Sequence, residues 1–476
     1  MPEPMENVCA AVLDRVTPKK GDRARIEALA QKLERAVASA AENLGIKAHV
    51  RLEGSVAKDT WLREDPEIDI FIRLPTSIPR KSLGDVGLKI ARRAVEGSKQ
   101  AERFAEHPYL EAWVENVRVN IVPCYETGRG EWISATDRTP YHTDYVKKNL
   151  DEHMKGETRL LKRFMKGVGV YGAEIKIGGF SGYLCELLII HFKSFLKVLE
   201  YFARQNRRKV IDLENYYRGR EEEAKLLFNE PLVIVDPVDE GRNVSSAVQP
   251  DKLYTFIAAS RAFLENPNIH FFYPPETIPL KPTELREKIR SHGASLVFLV
   301  FGGVEAVPDV LWGQIYKSQR SIRKLLILND FKLLRCAAWS NEQNLNIFIF
   351  ELENSQIPPV KKHLGPPLEK EAECRKFIAK HLSGSGTVSG PFIEDGRWVV
   401  EVKRKYTDAV FLLEEKLKED ARKAGIAKEI AQALSKGFKI YVNEDITEIY
   451  EVNGEFAKFL TDFLSGKPKW LMLEKT

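Results

Sequence analysis

Two carboxylates, Glu67 and Asp69, stand two residues apart in an isoleucine-rich segment and are the first candidates for chemistry. On a β-strand this spacing places both carboxylates on one face, while the intervening isoleucines face the opposite way into a core. Adjacent carboxylates repel each other unless a cation lies between them, and oxygen ligands suit Mg²⁺. The pair therefore predicts a magnesium site on the polar face of a strand.

A Gly54-Ser55 step precedes the acid pair and follows residues 46–52, which alternate as in a strand. At the mouth of a short helical turn, backbone N–H groups and the serine hydroxyl can bind phosphate oxygens. Either feature alone is common on ordinary protein surfaces. In this order, with the acid strand after the Gly-Ser turn, they indicate phosphoryl or nucleotidyl transfer.

The elements that must position these residues are expected to form a small mixed α/β domain. Apolar residues at helical spacing predict helices over residues 21–44 and 83–96. Residues 67–74 and 112–122 are predicted as strands. In the second strand, alternation places Asn120 and Arg118 on the polar face and Glu115 on the other.

From residue 150 the pattern becomes helical. A helix over residues 157–167 is expected to carry four basic residues on one side, which are Arg159, Lys162, Arg163 and Lys166. A glycine-rich turn at residues 178–182 offers Ser181 as the N-cap of an apolar helix over residues 183–202. A basic cluster at residues 204–209 fits a solvated helix end or a functional surface equally well.

After residue 275 the predicted elements are a strand at 295–301, a helix at 309–328, strands at 331–339 and 344–353, and a helix at 370–381. This βαββα order predicts a ferredoxin-like or RRM-like sheet with helices on one face. A strand at 397–404 and helices at 407–423, 427–435 and 454–464 follow.

Composition bounds the class of protein. A chain of 476 residues is too long for one core, so about two to four domains are expected. Lys and Arg (73) barely exceed Asp and Glu (68), which permits a nucleic-acid partner without requiring one. Five scattered cysteines predict free thiols in a reducing compartment. With no predicted signal peptide or membrane-spanning run, a cytoplasmic protein is expected.

Six ordered motifs resemble the archaeal (class I) CCA-adding enzymes, tRNA nucleotidyltransferases of the polymerase-β-like superfamily. In chain order they are GS…EID, NIVPCY, DRTPYH, VYGAE, GFSGYLCELL and VDPVDEGRNV, between residues 54 and 244. The resemblance implies an α+β multidomain protein with a mixed-sheet nucleotidyltransferase domain at 1–149 and a helical nucleotide- and tRNA-binding domain at 150–270. It also implies C-terminal and tail tRNA-binding domains at 271–476, with the βαββα core at about 294–382.

The resemblance further implies template-independent addition of C, C and A to the 3′ end of tRNA, using CTP, ATP and Mg²⁺. The C-terminal domains are expected to hold the acceptor and TΨC arms of tRNA, largely through phosphate contacts and shape. Family precedent also suggests a homodimer.

Matched position by position, Glu67 and Asp69 correspond to the metal carboxylates of the family, and Gly54 and Ser55 to its triphosphate-binding turn. Lys58 stands where the family often has arginine. It keeps the positive charge but loses the bidentate fork, so a looser phosphate grip is expected.

His142, Lys162 and Tyr171 match nucleotide-contacting positions, and Arg242 falls in the segment that helps to read the incoming base. Lys162 lies on the basic face of its helix and can meet a phosphate. Tyr171 can stack or donate a hydrogen bond. The structural alternatives are an unliganded turn histidine at His142 and a core aromatic at Tyr171.

Asn120 departs from the family, which has a third aspartate at this position. An asparagine carbonyl can contact a metal but is neutral. In a two-metal scheme one ion arrives with the triphosphate and the other activates the attacking 3′-hydroxyl. Glu67 and Asp69 can still hold the first ion, whereas the second ion is doubtful. We therefore expect Asn120 to leave nucleotide binding intact and to make the chemistry slow or absent.

Two other functions remain open. One is a different nucleotidyltransferase of the superfamily, such as a poly(A)-type or 2′-5′ oligoadenylate polymerase. The other is a catalytically weak or silent form that binds tRNA and nucleotide, which Asn120 favours.

Overall fold

Five strands form a mixed sheet in the N-terminal part of the computed structural model, which describes residues 5–104, 106–204 and 209–471. They are β1 (His49–Glu53), β2 (Glu67–Leu74), β3 (Lys99–Phe104), β4 (Pro108–Val114) and β5 (Val117–Tyr125). Their spatial order is β1-β2-β5-β4-β3; β2 and β5 are parallel, and the other neighbours are antiparallel. This order sets the acid strand β2 directly against β5, the strand of Asn120.

Helices cover the apolar face of this sheet. The helices up to residue 149 are α1 (Met5–Val16), α2 (Lys20–Asn43), α3 (Gly54–Ala57), α4 (Leu83–Ala94) and α5 (Thr139–Asn149). Ile68, Ile70 and Ile121 of the sheet share a buried core with Leu33 of α2 and Leu88 of α4. The predicted alternation is thus confirmed: isoleucines of β2 face the core, and its acids face the other side.

The strand predicted over residues 112–122 is wrong, because the chain turns back at Glu115 and Asn116. Both residues adopt left-handed φ angles, 52° and 61°. They link β4 to β5 as a two-residue hairpin in which Val114 pairs with Val117. Glu115 therefore lies in a turn, where it pairs with Lys32.

A second core is built from helices and aromatic side chains. Its further helices are α6 (Glu152–Gly167), α7 (Gly182–Phe192), α8 (Phe195–Ala203) and α10 (Pro250–Glu265), whereas α9 (Glu221–Leu227) packs through Ala224 against Val233 and Val235 in a separate cluster. The single helix expected over residues 183–202 is two helices, because Lys193 has a left-handed φ of 70° and Ser194 caps α8. Ser181 caps α7 as expected, accepting a hydrogen bond from the backbone N–H of Leu184.

A small sheet accompanies these helices, with strands β6 (Lys209–Asp212), β7 (Leu232–Asp236) and β8 (Asp239–Asn243) in that spatial order. Within the basic cluster at 204–209, residues 205–208 and the side chain at 209 lie outside the described part of the chain.

The C-terminal part contains two further sheets. The first has strands β9 (Ser295–Phe301), β10 (Leu333–Ser340), β11 (Asn346–Leu352) and β15 (Phe438–Val442), in the spatial order β10-β11-β9-β15. The second has strands β12 (Val360–Pro367), β13 (Thr387–Glu394) and β14 (Arg397–Lys403), with β14 in the centre.

Helices pack on both faces of the four-stranded sheet. One core includes residues of α12 (Pro308–Leu328), α14 (Ala409–Asp420) and α15 (Lys428–Ser435). The other includes residues of α11 (Pro282–His292), α16 (Thr447–Val452) and α17 (Gly454–Ser465). Short 3₁₀ helices lie at Arg80–Ser82, Ala135–Arg138, Ile269–Phe271, Asn443–Ile446 and Lys469–Leu471.

The predicted βαββα unit is found except for its last helix, and the expectation of helices on one face is wrong, because helices cover both faces of the sheet. The elements β9, α12, β10 and β11 follow in the expected order, but α13 (Glu371–His381) packs on the three-stranded sheet. There Phe377 lies against Gly365 of β12. The fourth strand of the larger sheet is instead β15, which pairs with β9 from far along the chain. The α+β multidomain class is confirmed, and the position of this helix is corrected.

The chain divides into two compact units. The first comprises the described residues up to Glu276 with Val307–Val310 and the described part of Lys467–Thr476; the second comprises Thr277–Ala306 and Leu311–Gly466. Within residues 5–104, 106–204 and 209–471, no helix combines the length and apolarity needed to cross a membrane.

Candidate functional site

The acid pair of β2 meets Asn120 of β5 on the polar face of the five-stranded sheet. Asp69 and Asn120 are register partners on the parallel strands. The Asn120 amide Nδ2 donates to Glu67 Oε1 at 2.6 Å and to Asp69 Oδ1 at 2.9 Å. The two carboxylates therefore converge on a single point next to Asn120.

The electrostatics of this point favour a cation. Burial, followed by the charge of Glu67, raises the pKa of Asp69 to about 7. The Asn120 carbonyl oxygen Oδ1 is buried and has no hydrogen-bond partner in the structure. The two converging carboxylates fit one divalent cation, and Oδ1 of Asn120 can join them as a ligand when its amide group turns over, because Nδ2 now faces both acids. Among the described residues, the acid pair has no third charged ligand beside it, and no group of three or more His, Cys, Asp and Glu side chains is placed to hold a metal ion.

Arg118 partly neutralises the negative charge of the acid pair, Glu67 and Asp69. Its Nη2 donates to Glu67 Oε2 at 2.9 Å. Burial would lower the pKa of Arg118, but Glu67, Asp65 and Glu111 raise it above the ordinary value. The sequence placed Arg118 on the correct face, and the structure adds that it is bonded to a metal-ligand candidate.

A row of polar residues crosses the sheet on the same face. Glu53 of β1 pairs with Asp69, Asp69 with Asn120, and Asn120 with Glu111 of β4. Glu111 is nearly buried and is held by Arg103 at 2.7 Å. Burial raises the pKa of the fully buried Glu53. Sequence reasoning missed Glu111 because it did not predict β4 as a separate strand, and it missed Glu53 because it ended the first strand at residue 52.

The Gly54-Ser55 turn lies against the acid strand. Gly54 has a left-handed φ of +69°, and a Cβ atom built on it would lie 1.9 Å from Asp69 Oδ2. Only glycine fits there, so the turn brings Ser55 beside the acid pair. Ser55 lies in the first turn of α3, as the predicted phosphate turn requires.

Lys58 and Lys162 both bind a carboxylate that sequence reasoning did not single out. Lys58 Nζ donates to Glu186 Oε2 at 2.6 Å, and Lys162 Nζ donates to Glu186 Oε1 at 3.1 Å. The hydroxyl of Thr60 donates to Glu186 Oε1 at 2.5 Å and accepts from Lys162 at 2.9 Å. A lone Glu within the apolar sequence of α7, GYLCELLIIHF, is the signal that could have found it.

The other basic residues of α6 are bound to the loop between α3 and β2. Arg159 donates to the Asp59 carboxylate at 2.8 Å and to the backbone carbonyl of Trp61 at 3.1 Å. Arg163 pairs with Glu64 at 2.5 Å, and Lys166 pairs with Asp65. These acids and carbonyls hold the basic face of α6 against the loop.

His142 lies within α5 and is nearly buried, so it is not a turn histidine. Its Nε2 is 2.9 Å from Asp236 Oδ2, and its ring stacks on Tyr183 at 4.1 Å. Burial lowers the pKa of His142 although Asp236 acts to raise it, so the imidazole is neutral near pH 7. Arg242 donates to the same Asp236 oxygen at 2.5 Å.

Tyr171 forms an isolated bridge to Phe180, and the Lys166 ammonium lies 5.4 Å from the centre of its ring. Burial raises its pKa well above the ordinary value. Its hydroxyl lies beside Gly182, where a Cβ atom would be 3.0 Å away. Tyr171 lines the same cavity as the acid pair and is therefore more than a core aromatic.

One cavity of about 430 Å³ joins these features. The predicted residues on its wall are Gly54, Ser55, Lys58, Glu67, Asp69, Asn120, His142, Lys162 and Tyr171. Arg242 is the one predicted residue absent from the wall, and it is linked to His142 through Asp236. Tyr183 and Glu186 also line the cavity and were missed. A metal-binding edge, a phosphate turn and two lysines around one cavity can bind and activate a nucleoside triphosphate.

Three segments of the chain match known families. Residues 31–151 match the nucleotidyltransferase domain, residues 156–273 the second domain of tRNA nucleotidyltransferase, and residues 292–443 the C-terminal domain of the CCA-adding enzyme.

Full-length relatives are similar along nearly the whole chain. A CCA-adding enzyme of Methanosarcina barkeri (strain Fusaro / DSM 804) is 37% identical over 94% of this chain and 96% of that protein. One from Methanosarcina mazei is 37% identical over 96% of this chain and 97% of that protein. One from Methanothermobacter thermautotrophicus is 33% identical over 98% of each chain.

Proposed function

The chain belongs to the CCA-adding enzymes, and we propose that its tRNA nucleotidyl transfer takes place in the cavity beside Glu67 and Asp69. The resemblance drawn from the six sequence motifs is thereby confirmed. The enzyme adds C, C and A to the 3′ end of tRNA from CTP and ATP. The observation that carries the choice of cavity is the convergence of the acid pair, the Gly54-Ser55 turn and Lys58 on one space.

The acid edge would hold the divalent cation on which nucleotidyltransferases generally depend. Glu67, Asp69 and the Oδ1 atom of Asn120 are the ligands we propose, with Mg²⁺ as the ion. When bound there, the ion would neutralise triphosphate charge, whereas a second ion, which would favour ionisation of the tRNA 3′-hydroxyl, lacks a charged ligand at position 120. The hydroxyl oxygen would form a bond to the α-phosphorus and release its proton to solvent, while the bond from the α-phosphorus to the bridging oxygen breaks and pyrophosphate leaves with that oxygen and the bonding electrons.

The remaining residues orient the nucleotide. The Ser55 hydroxyl, the backbone of the turn and the Lys58 ammonium face the phosphates. The stacked rings of His142 and Tyr183 offer a flat surface near the base, and Arg242, held by Asp236, supplies donors to its edge. We propose Tyr171 as a hydrogen-bond donor to the sugar or phosphate.

In this proposal Asn120 slows the chemical step of nucleotidyl transfer. With asparagine at position 120, the site has two carboxylates instead of the three that would hold two metal ions. Arg118 also neutralises part of the negative charge of these two carboxylates. Nucleotide binding is expected to survive, whereas activation of the hydroxyl suffers.

The test is incorporation of labelled CTP and ATP into tRNA that lacks CCA, by this chain and by Asn120→Asp. We expect Asn120→Asp to be faster by about tenfold or more, since a metal-bound nucleophile supplies several kcal/mol to such reactions. Equal rates for the two proteins would show that a carboxylate at position 120 is not needed.

Asn120 also favours a second candidate function, a form that binds tRNA and nucleotide without chemistry. A tRNA gel shift with no incorporation by the natural chain would support it. Sequencing the product separates CCA addition from a poly(A)-type activity, because a CCA enzyme stops after three nucleotides.

Other parts of the proposal concern organisation. We propose the domain division at residues 149 and 270, contacts of the C-terminal domains with the acceptor and TΨC arms, a homodimer, and a cytoplasmic location. Footprinting of tRNA and the mass of the protein in solution would test the contacts and the oligomeric state.

A further inference from the structure

One fully buried carboxylate, Glu186, serves two buried lysines at the wall of the nucleotide cavity. Both of its oxygens are used: Oε2 by Lys58, and Oε1 by Lys162 and Thr60. Lys58 comes from the segment after the phosphate turn, Lys162 from α6 and Glu186 from α7. The carboxylate therefore ties together three segments that meet at the cavity.

The two lysines differ in how many N–H groups are already bonded. An ammonium has three donors. Those of Lys162 have three acceptors: Thr60 Oγ1 at 2.9 Å, Glu186 Oε1 at 3.1 Å and the Thr60 carbonyl at 3.3 Å. For Lys58, Glu186 is the one hydrogen-bond acceptor found within the described residues. Two N–H groups of Lys58 are thus available to a ligand.

The charges of this cluster do not cancel. Within this cluster two ammonium groups face one carboxylate, whereas Asp69 and Glu53 act on Lys58 from beyond ion-pair distance. An uncompensated buried charge is unfavourable, so the cluster favours an incoming anion. Burial would raise the pKa of Glu186, but Lys162 and Lys58 hold it at about 2, so Glu186 stays ionised at neutral pH.

We propose that Glu186 is a positioning residue for the triphosphate. It fixes Lys162 and Thr60 as internal supports and directs the two free N–H groups of Lys58 toward the phosphates of CTP or ATP. The inference rests on the proposed function, because it requires that the cavity binds a nucleoside triphosphate.

The test compares Glu186→Gln, Lys58→Met and the double variant by equilibrium binding, with Mg²⁺ and without tRNA so that no chemistry occurs. The ligands are CTP and, as a probe without phosphates, cytidine. Although Glu186→Gln adds one unit of net positive charge beside the phosphates, we expect the loss of positioning to outweigh it and to weaken CTP binding about tenfold, the value of one hydrogen bond to a charged group, while cytidine binding stays unchanged.

The double variant separates positioning from general support of the fold. If Glu186 acts through Lys58, Glu186→Gln changes CTP affinity by less than about twofold once Lys58 is already Met. An equal loss in both backgrounds, or a parallel loss of cytidine binding, would overturn the proposal. Tighter CTP binding by Glu186→Gln would also overturn it, because Glu186 would then compete with the phosphates for Lys58.

Two further variants keep the result decisive. Glu351→Gln removes another nearly buried acid, which pairs with His292 and Arg335 in the second compact unit, and should bind CTP as the natural chain does. If Glu186→Gln does not fold, Glu186→Asp retains the charge with a shorter reach and is expected to weaken CTP binding while sparing cytidine. Failure of the natural chain to bind CTP would refute the proposed function rather than the role of Glu186.

Discussion

Replacing Asn120 with aspartate is expected to lower the thermal stability of the metal-free protein and to increase the stabilisation that a bound metal ion provides. The Asn120 amide now donates hydrogen bonds to both Glu67 and Asp69. The carboxyl group introduced by Asn120→Asp would repel both acids when ionised, and when protonated it could donate to only one of them. At least one hydrogen bond to a charged acceptor is therefore lost in either state.

The size of the effect follows from that loss. One hydrogen bond to a charged group contributes about 2 kcal/mol. In a compact unit of this size, 2 kcal/mol lowers the melting temperature by about 4 °C. A divalent cation reverses the sign, because a third carboxylate adds a charged ligand at the point where the first two converge.

The assay is thermal unfolding of both proteins in EDTA and in a series of Mg²⁺ or Mn²⁺ concentrations. We expect Asn120→Asp to melt at a lower temperature than the natural chain in EDTA. Its melting temperature is expected to rise more than that of the natural chain when metal is added. If Asn120→Asp melts at the same or a higher temperature in EDTA, the two hydrogen bonds of Asn120 contribute nothing. Identical metal responses would show that position 120 does not face the cation.

Two further predictions concern single contacts at the site. Gly54→Ala is expected to lose far more stability in chemical denaturation than Gly45→Ala, because both have a left-handed φ but only the new Cβ at position 54 meets Asp69. The control should lose about 1 kcal/mol, and equal losses would refute the clash. Asp236→Asn is expected to destabilise the protein by about 2 kcal/mol at neutral pH, because Arg242 loses a charged partner. Burial acts to raise the pKa of Asp236, but His142 and then Arg242 lower it from 3.8 to about 2, so this difference should persist above pH 3.8 and disappear as the pH falls to about 2. A pH-independent difference in urea unfolding would contradict this expectation.

Local patterns in the sequence were sufficient for the central part of the site. The period-2 pattern of residues 67–72 gives the strand, its buried face and the side on which the acids lie. The Gly-Ser step marks the turn because a left-handed residue at that point must be glycine. Both are properties of a few neighbouring residues, so no knowledge of the rest of the chain is needed.

The hairpin at residues 115–116 shows where local patterns fail. The alternation of apolar and polar residues breaks at Glu115 and Asn116, two adjacent polar residues between Val114 and Val117, yet the prediction of one continuous strand runs through this break. Asparagine tolerates a left-handed φ, but a Glu-Asn pair is a weaker turn signal than Asn-Gly. The missed hairpin concealed Glu111, the neighbour of Asn120 in the sheet.

Contacts between distant residues account for most of the other misses. Lys58 and Glu186 are separated by 128 positions, and the charge pattern around either residue does not identify the other as its partner. The basic face of α6 was expected to meet phosphate at Lys162, yet that lysine already has three protein acceptors. In the C-terminal part, β12 contains prolines and lysines without apolar alternation, so α13 was assigned to the wrong sheet.

The ion-paired loop between α3 and β2 has a consequence for how the cavity accepts its ligands. Asp59, Glu64 and Asp65 of this loop are each bonded to a basic residue of α6, and the loop connects the phosphate turn to the acid strand. The two walls of the cavity cannot separate without breaking several charged contacts at once. The cavity is therefore preorganised, and on the proposed function little ordering entropy would be lost when a triphosphate binds there.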